Sequence, residues 1–322
     1  MKILKIILFI MLLCPLVYGQ DGDETLTDKI TSIGEGLLEG YTQPFTTAFG
    51  TAVVTGLFHS AYSHGLLGFD LGVRVMYIYI PSDAKYFTAT ALRCSLEVGE
   101  VVCDSIELDS VSTIFGPEEE TEVSTANAIG VPPVIPGGFN LGGVPFVMPQ
   151  LNVGLLYGSE IAIRYLPSIT YEGSKLNFLG LGIKQELTKI PGLQMIPFAV
   201  AIGAAYQTFN VRDEEGTEVL NSRTWCVQLL ASKRIAVFEP FIAAGIEGTD
   251  IHFHYDFEYE LPSPIPGQTV VFTEPIDVTL SSQTNYRAVA GFTLSMGFFY
   301  VHYDFNMSRY KTHNLIAGLT FR

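Results

Sequence analysis

Strict two-residue alternation dominates the end of this chain. Residues 299–305 read FYVHYDF, with Phe299, Val301, Tyr303 and Phe305 on one side and Tyr300, His302 and Asp304 on the other. Leu315, Ala317, Leu319 and Phe321 repeat the pattern up to the penultimate residue. A strand that is aromatic or aliphatic on one face, and polar or glycine on the other, suits a wall between lipid and a wet interior. The pattern constrains location more tightly than activity.

The alternation begins near residue 68. Phe69, Leu71, Val73, Val75, Tyr77 and Tyr79 form one face, and Asp70, Gly72, Arg74 and Met76 the other, until Pro81 stops the strand. Leu179, Leu181 and Ile183 oppose Gly180, Gly182 and Lys184. Phe198, Val200, Ile202 and Ala204 oppose Ala199, Ala201, Gly203 and Ala205, and Trp225, Val227, Leu229 and Ala231 form another stripe. Turn residues separate these runs. The expectation is an all-β fold, a transmembrane antiparallel β-barrel of about 12–14 strands over residues 68–322, with about 14 favoured. Inward glycines would let interior backbone approach the wall, or widen a narrow lumen.

Composition agrees. Hydrophobic residues make up 48% of the chain and mean hydropathy is +0.31, yet glycines and charges break every apolar run before about 20 residues. This excludes a helical inner-membrane protein. A secreted β-sandwich would rarely combine 16 Tyr and 22 Phe with only 16% charged residues. The formal charge of −15 opposes nonspecific nucleic-acid binding.

Lys2 and Lys5 precede an apolar run from Ile6 to Val17, and Val17 and Gly19 suit a signal-peptidase site before Gln20. Residues 1–19 are therefore expected to be a signal peptide. Residues 20–67 read as an N-terminal helical plug, leader or periplasmic segment: Leu26, Ile30, Ile33, Leu37 and Leu38 recur at helical spacing over about Thr25 to Glu39, and Pro44 interrupts. The stretch from Phe45 to Leu57 is small, apolar and rich in threonine, which a single helix does not explain well. Residues 110–147 read as a long Pro/Gly-rich loop, with Pro117, Pro132, Pro133, Pro136 and Pro145 opposing a regular strand. Cys94 and Cys103 bracket a turn at Gly99-Glu100 and could be bonded or free; Cys226 reads as a small packed side chain.

Candidate lumen or ligand contacts are His252, His254, Asp256 and Glu258, which share one strand face, the inward pair His302 and Asp304, and the aromatic residues Phe45, Phe49, Phe139 and Phe146. The His and carboxylate stripe could serve as metal ligands, but neighbours two apart on one strand need partners from elsewhere, so a polar lumen wall or rim is the plainer reading. His59 and His64 read as local packing or hydrogen-bonding residues. No zinc spacing, GxSxG, Walker or dinucleotide pattern is present, so no cofactor and no catalytic residue is assigned.

Distributed matches tie nearly the whole chain to known relatives. YTQPFTTAFG (41–50), TGLFHSA (55–61), LLGFDL (66–71), STIFG (112–116), MPQLNVGLLYGSEIAIRYLP (148–167) and LGLGIKQEL (179–187) resemble an uncharacterised Bacteroidota-type family of exported outer-membrane barrels. That family is distantly similar to the long-chain fatty-acid transporter group. The resemblance implies an N-terminal hatch over 21–64 and a wall over 68–322. The group's Asn-Pro-Ala hatch motif is absent, and the chain ends in Arg322 rather than an aromatic residue.

The expected location is the cell outer membrane. Expected partners are outer-membrane lipids and lipopolysaccharide, the barrel assembly machinery and a hydrophobic small molecule, with no nucleic acid. The leading functional expectation is passive transport of hydrophobic or amphipathic small molecules. The alternatives are a structural or adhesive surface barrel with no conducting path, and a barrel enzyme acting on lipid or peptide.

Overall fold

The computed structural model describes residues 35–97, 100–122, 128–129, 134–171, 174–190, 196–213, 215–262 and 269–321. The expected signal peptide, the first part of the expected helix and Gly99 lie outside the described residues. Among the described residues one α-helix, α1 (Glu35–Val54), precedes sixteen strands. These are β1 (Phe69–Tyr79), β2 (Tyr86–Glu97), β3 (Glu100–Ser112), three two-residue strands β4 (Thr121–Glu122), β5 (Ala128–Ile129) and β6 (Val134–Ile135), then β7 (Gly143–Gly154), β8 (Ser159–Tyr171), β9 (Ser174–Glu186), β10 (Ala199–Arg212), β11 (Glu218–Ser232), β12 (Phe238–Pro262), β13 (Thr269–Ser281), β14 (Tyr286–Met296), β15 (Phe299–Met307) and β16 (Thr312–Phe321). Among the described residues no helix is long and apolar enough to cross a membrane.

The wall is a closed antiparallel barrel. Its strands run in the order β11-β10-β9-β8-β7-β1-β16-β15-β14-β12, and β12 pairs back onto β11 to complete the circuit. β13 occupies the far half of β12, from Asp250 to Pro262, beyond the end of its pairing with β14. Thirteen strands have nine residues or more, inside the range the alternation predicts and one below fourteen. Ten of them close the circuit, while β13 and the β2–β3 hairpin rise from one rim. The chain enters β1 and leaves β16 at the other rim, where short turns join β7 to β8, β11 to β12 and β14 to β15 and a longer connection joins β9 to β10; the longest excursion, β2 to β6 between β1 and β7, belongs to the first rim. Short turns mark the periplasmic side of such barrels, and long connections the outer side.

Each wall strand shows two faces. On β1 the outward residues are exposed and the inward ones buried, with Phe69 at one end, Leu71, Val73 and Val75 in the middle, and Tyr77 and Tyr79 at the other. Aliphatic residues between aromatic ends match an apolar band with interfacial girdles. The chain is thus an outer-membrane β-barrel by its own surface. β12 carries the band's upper limit. Its outward residues change from Ile242 and Ile246 to Asp250, His252, His254 and Asp256, while its inward residues change from Glu247 and Thr249 to Ile251, Phe253 and Tyr255. Below that crossover the strand is apolar outside and mixed inside, with Phe241 and Ala243 between Glu239 and Glu247; above it the outward residues are polar and the inward ones apolar, as for a wall that has left the bilayer.

α1 runs through Pro44 rather than stopping there. Gly40, four residues earlier, has no Cβ and is covered by the Phe87 ring. The helix lacks a clear apolar stripe because from Pro44 onward it is buried on every side. Thr42, Thr46, Thr47 and Thr55 return their hydroxyl protons to the carbonyls of Leu38, Thr42, Gln43 and Thr51, so threonine is tolerated in full burial. A single helix thus covers Phe45–Val54, which corrects the expectation for that part of the stretch; Thr55–Leu57 lie beyond its end.

The Pro/Gly-rich loop also ends earlier than its prolines suggest. β7 starts at Gly143 and contains Pro145 and Pro149. Both lie where β7 bonds only to β1, since the β7–β8 register covers just Leu151–Gly154 against Glu160–Ile163. A strand edge without a partner needs no N–H from proline. Cys94 and Cys103 stand opposite one another in the β2–β3 register. Cys226 is free and buried, as its setting suggests.

Candidate functional site

The interior is occupied by α1 and the segment that follows it, residues 55–64. α1 packs against β1, β2, β11, β12 and β13. Its end and the following segment hydrogen-bond to side chains of β1, β7, β8, β9, β10, β12 and β14. Partners all round the circuit place this segment within the barrel.

Two layers line that interior. Toward the outer rim the wall is apolar: Met76, Ile78, Phe146, Met148, Phe209, Leu220, Ile251 and Phe253 pack around Phe45, Phe49 and Val53 of the helix. Phe49 lies edge-on to Phe146 at 6.3 Å and against Phe209 at 5.1 Å between ring centroids. Such pairs add about 0.5–1.5 kcal/mol beyond their burial.

Toward the periplasmic rim the wall is mixed: Ala162, Ala199, Ala201, Leu230, Phe241 and Val289 form an apolar patch with Leu57, Phe58 and Ala61 of the interior segment, and buried charged and polar side chains stand beside it. A helix ends with carbonyls that have no partner within it, and with a partial negative charge. Three buried arginines meet that end. Arg164 Nη1 donates to Val53 O (2.5 Å) and Nη2 to Thr55 O (2.8 Å). Arg287 Nη2 donates to Thr51 O (3.1 Å), and Arg74 Nε to Gly56 O (3.1 Å). Gln207 and Gln150 add bonds to Val53 O and Leu57 O, both 2.8 Å. Gly56 turns the chain out of the helix at φ +66°. Arg287 is paired with Glu247, also buried, at 2.5 Å.

Below this ring the segment is held at each residue. Lys184 Nζ donates to Ser60 O (3.0 Å) and Tyr62 O (2.9 Å) while pairing with Glu160 at 2.8 Å. Glu186 accepts from the N–H and hydroxyl of Ser63, at 2.7 and 2.9 Å. Glu160 bonds the backbone N–H of His64 (3.1 Å) and its Nδ1 (2.7 Å), and Glu239 accepts from Ser60. His59 stacks on Tyr300 with ring centroids 4.8 Å apart. Burial, then the positive charge of Arg74, holds its pKa well below the usual histidine value. A cavity of about 240 Å³ opens among these groups, lined by His59, Ser60, Tyr62, His64, Lys184, Arg234, Glu239 and Tyr300. It offers polar and charged groups to a small polar headgroup. The hydroxyls of Ser60 and Ser63 there are engaged as donors to Glu239 and Glu186.

The expected site residues separate into groups. Phe45, Phe49 and Phe146 belong to the apolar upper layer, and Phe139 is partly buried against it. His302 and Asp304 are inward and buried, bonded at 2.9 Å, with Thr293 on the other His302 nitrogen at 2.8 Å and Asn314 on Asp304 at 2.6 Å. His252, His254 and Asp256 are on the outer face of the raised part of β12, not in the lumen, because Phe253 and Tyr255 take the inward positions there. Glu258 pairs with Thr273 through the backbone; its side chain lies outside the described residues. His59 and His64 take packing and hydrogen-bonding roles.

Arg74, Arg164, Lys184, Glu186 and Arg287 were legible as inward positions but not as site residues. Their one signal is a full charge on the inward face of a membrane strand, which requires a partner. Those partners are largely backbone carbonyls, and any residue type supplies a carbonyl.

Comparisons with known proteins follow this geometry. A model described as a family of unknown function, DUF6588, matches residues 1–322. No curated protein matches the chain. Among solved structures, it is similar to the outer membrane protease OmpT from Escherichia coli (13% identity, 79% of this chain and 96% of that chain, TM-score 0.30). It is similar to the translocator domain of the autotransporter NalP from Neisseria meningitidis (10% identity, 84% and 92%, TM-score 0.30). It is also similar to the P. putida toluene transporter TodX (8% identity, 96% and 99%, TM-score 0.28). A protease, a translocator and a toluene transporter are three different activities, and none is carried over to this chain.

Proposed function

We propose that this chain, which belongs to the DUF6588 family, is an outer-membrane barrel that passes small hydrophobic or amphipathic molecules passively. The observation that carries this reading is the seam between β7 and β8. These neighbours pair over four positions, whereas β1 pairs with β7 over eleven and with β16 over ten. Above Leu151 the strands part, with Pro145, Pro149 and Pro167 along the parted edges. Phe146 and Met148 of β7 face inward there, beside the apolar layer around Phe49. A solute leaving or entering through this seam would exchange bilayer for an apolar interior, without crossing the polar ring.

The polar cavity below suits the other end of an amphipathic solute. In this scheme residues 35–64 are the movable part, held by hydrogen bonds and ion pairs that exchange without covalent chemistry. No energy-coupling motif is required. The long-chain fatty-acid resemblance enters here as one substrate class among apolar molecules.

Uptake of fluorescent hydrophobic solutes into liposomes tests this. The intact mature chain should raise uptake above empty liposomes, and deletion of residues 21–64 should raise it further. Rates equal to empty liposomes for both proteins would reject passage. A second reading, a closed structural barrel, draws on the three arginines fixed to the helix end. It expects no stepwise conductance in planar bilayers even after that deletion.

A further inference from the structure

We infer that His252, His254 and Asp277 form a binding site for a divalent transition-metal ion, zinc by its chemistry, on the outer rim. The site is built across two strands. His252 and His254 are consecutive outward residues of β12, and Asp277 of β13 is the register partner of His254. One ligand atom from each residue lies within 4.8 Å of the others. His252 Nε2 is 3.5 Å from Asp277 Oδ1, and His254 Nδ1 is 3.5 Å from Asp277 Oδ2.

Both separations are longer than a direct hydrogen bond, and they run to the two different oxygens of one carboxylate, so an ion would draw the three groups together by a small side-chain rotation. An N–H···O hydrogen bond places its heavy atoms about 2.7–3.2 Å apart. Zinc bonds to nitrogen and carboxylate oxygen of about 2.0–2.2 Å set neighbouring ligands of a tetrahedron about 3.3–3.5 Å apart. One tautomer of His252 suits this. Its Nδ1 is 3.1 Å from Thr279 Oγ1, on the residue directly opposite in β13. With the Nδ1 proton donated to Thr279, the Nε2 lone pair is left facing Asp277. Metal-binding histidines are commonly oriented through their second nitrogen in this way.

The support is rigid. Between and beside the two histidines, Ile251, Phe253 and Tyr255 are buried toward the interior, and β12 and β13 stay in register from Asp250↔Ser281 to Pro262↔Thr269. The two imidazoles are nearly parallel, 15° between planes and 6.4 Å between centroids. Two imidazoles and one carboxylate leave a fourth position for water or for a donor from another molecule, and this ligand set favours zinc over magnesium or calcium. The site lies above the polarity crossover of β12, where the outer face meets water.

The test uses the mature protein folded in detergent micelles and stripped with chelator. Calorimetric titration with zinc chloride near neutral pH should show one ion per chain. Cobalt(II) should give the strong visible absorption of a four-coordinate complex. The His252→Ala/His254→Ala double variant should lose both signals. Thr279→Val should weaken zinc binding by about 10–100-fold, as expected when an orienting partner is removed. Heat-modifiable migration of each variant shows that the barrel is intact. The proposal is overturned if folded wild type and double variant take up zinc with the same affinity, or if wild type takes up none.

Discussion

The ring of Phe58 occupies the space that a side chain at Gly203 would need. Gly203 is an inward residue of β10, and Phe58 belongs to the interior segment. A missing side chain on the wall therefore seats a large side chain from inside. Gly203→Leu would force the two apart. The expected outcome is a folded barrel in which residues 55–64 are cut by added protease, while wild type is resistant. Equal resistance would show that the contact does not seat the segment.

Arg164→Met keeps much of the side-chain volume and removes its donors. Val53 O retains Gln207, but Thr55 O loses its donor from Arg164. An orphaned buried carbonyl costs about 1–3 kcal/mol. Hydrogen exchange should accelerate at residues 51–57 and remain slow in the strands. Unchanged exchange would mean the arginine is dispensable as an anchor.

The seam makes a geometric prediction. Extending the β7–β8 register upward would set Pro149 opposite Tyr165, but pairing stops at Leu151↔Ile163. In a Pro149→Cys/Tyr165→Cys variant, a short dithiol-reactive linker should abolish most solute uptake. The same linker on Val153→Cys/Ile161→Cys, where the strands already pair, should leave it unchanged. Equal effects at both levels would place the route elsewhere.

Val73 lies midway along the outward face of β1 and is 41% exposed. At an exposed position in water, arginine would be tolerated within about 0.5 kcal/mol. At a bilayer midplane, Val73→Arg should cost about 2–4 kcal/mol, read from urea unfolding in lipid vesicles. A neutral result would contradict the membrane face assigned to this strand.

His59 supplies a pH dependence. Its pKa in the folded chain is below the usual value, so the unfolded chain binds more protons as pH falls through about 6.5. Its contribution is complete above that pH and is lost as pH falls toward the folded value. Between about pH 7.5 and pH 5, wild type should lose more thermal stability than His59→Gln. An identical loss in both proteins would remove His59 as a source of acid sensitivity.

The alternating strands were legible because lipid and interior impose opposite chemistry at every second residue. Phe69 to Tyr79 and Phe299 to Phe305 needed no other information. α1 was harder to read: from Pro44 to Val54 its faces are all buried, so no stripe distinguishes them, and its threonines satisfy their own hydroxyls. Pro145 looked like a strand breaker because sequence does not show which strand edges lack a partner. His252 and His254 were visible as a polar face, but their direction was not. Above the crossover on β12 the apolar residues turn inward, and only the third group, Asp277 from the neighbouring strand, brings ligand geometry to that face.

The circuit is completed by the first and last wall strands, with β1 against β16 from Phe69↔Phe321 to Ile78↔Thr312. No enclosed space exists until β16 has been laid down against β1. The helix and Phe58 come earlier in the chain than any wall strand. They must be in position when the two ends meet, or be threaded in afterwards through a rim. Closure therefore acts as a latch on cargo the chain itself delivers. A mutant whose interior segment docks slowly should accumulate as an unsealed sheet, not as an empty barrel.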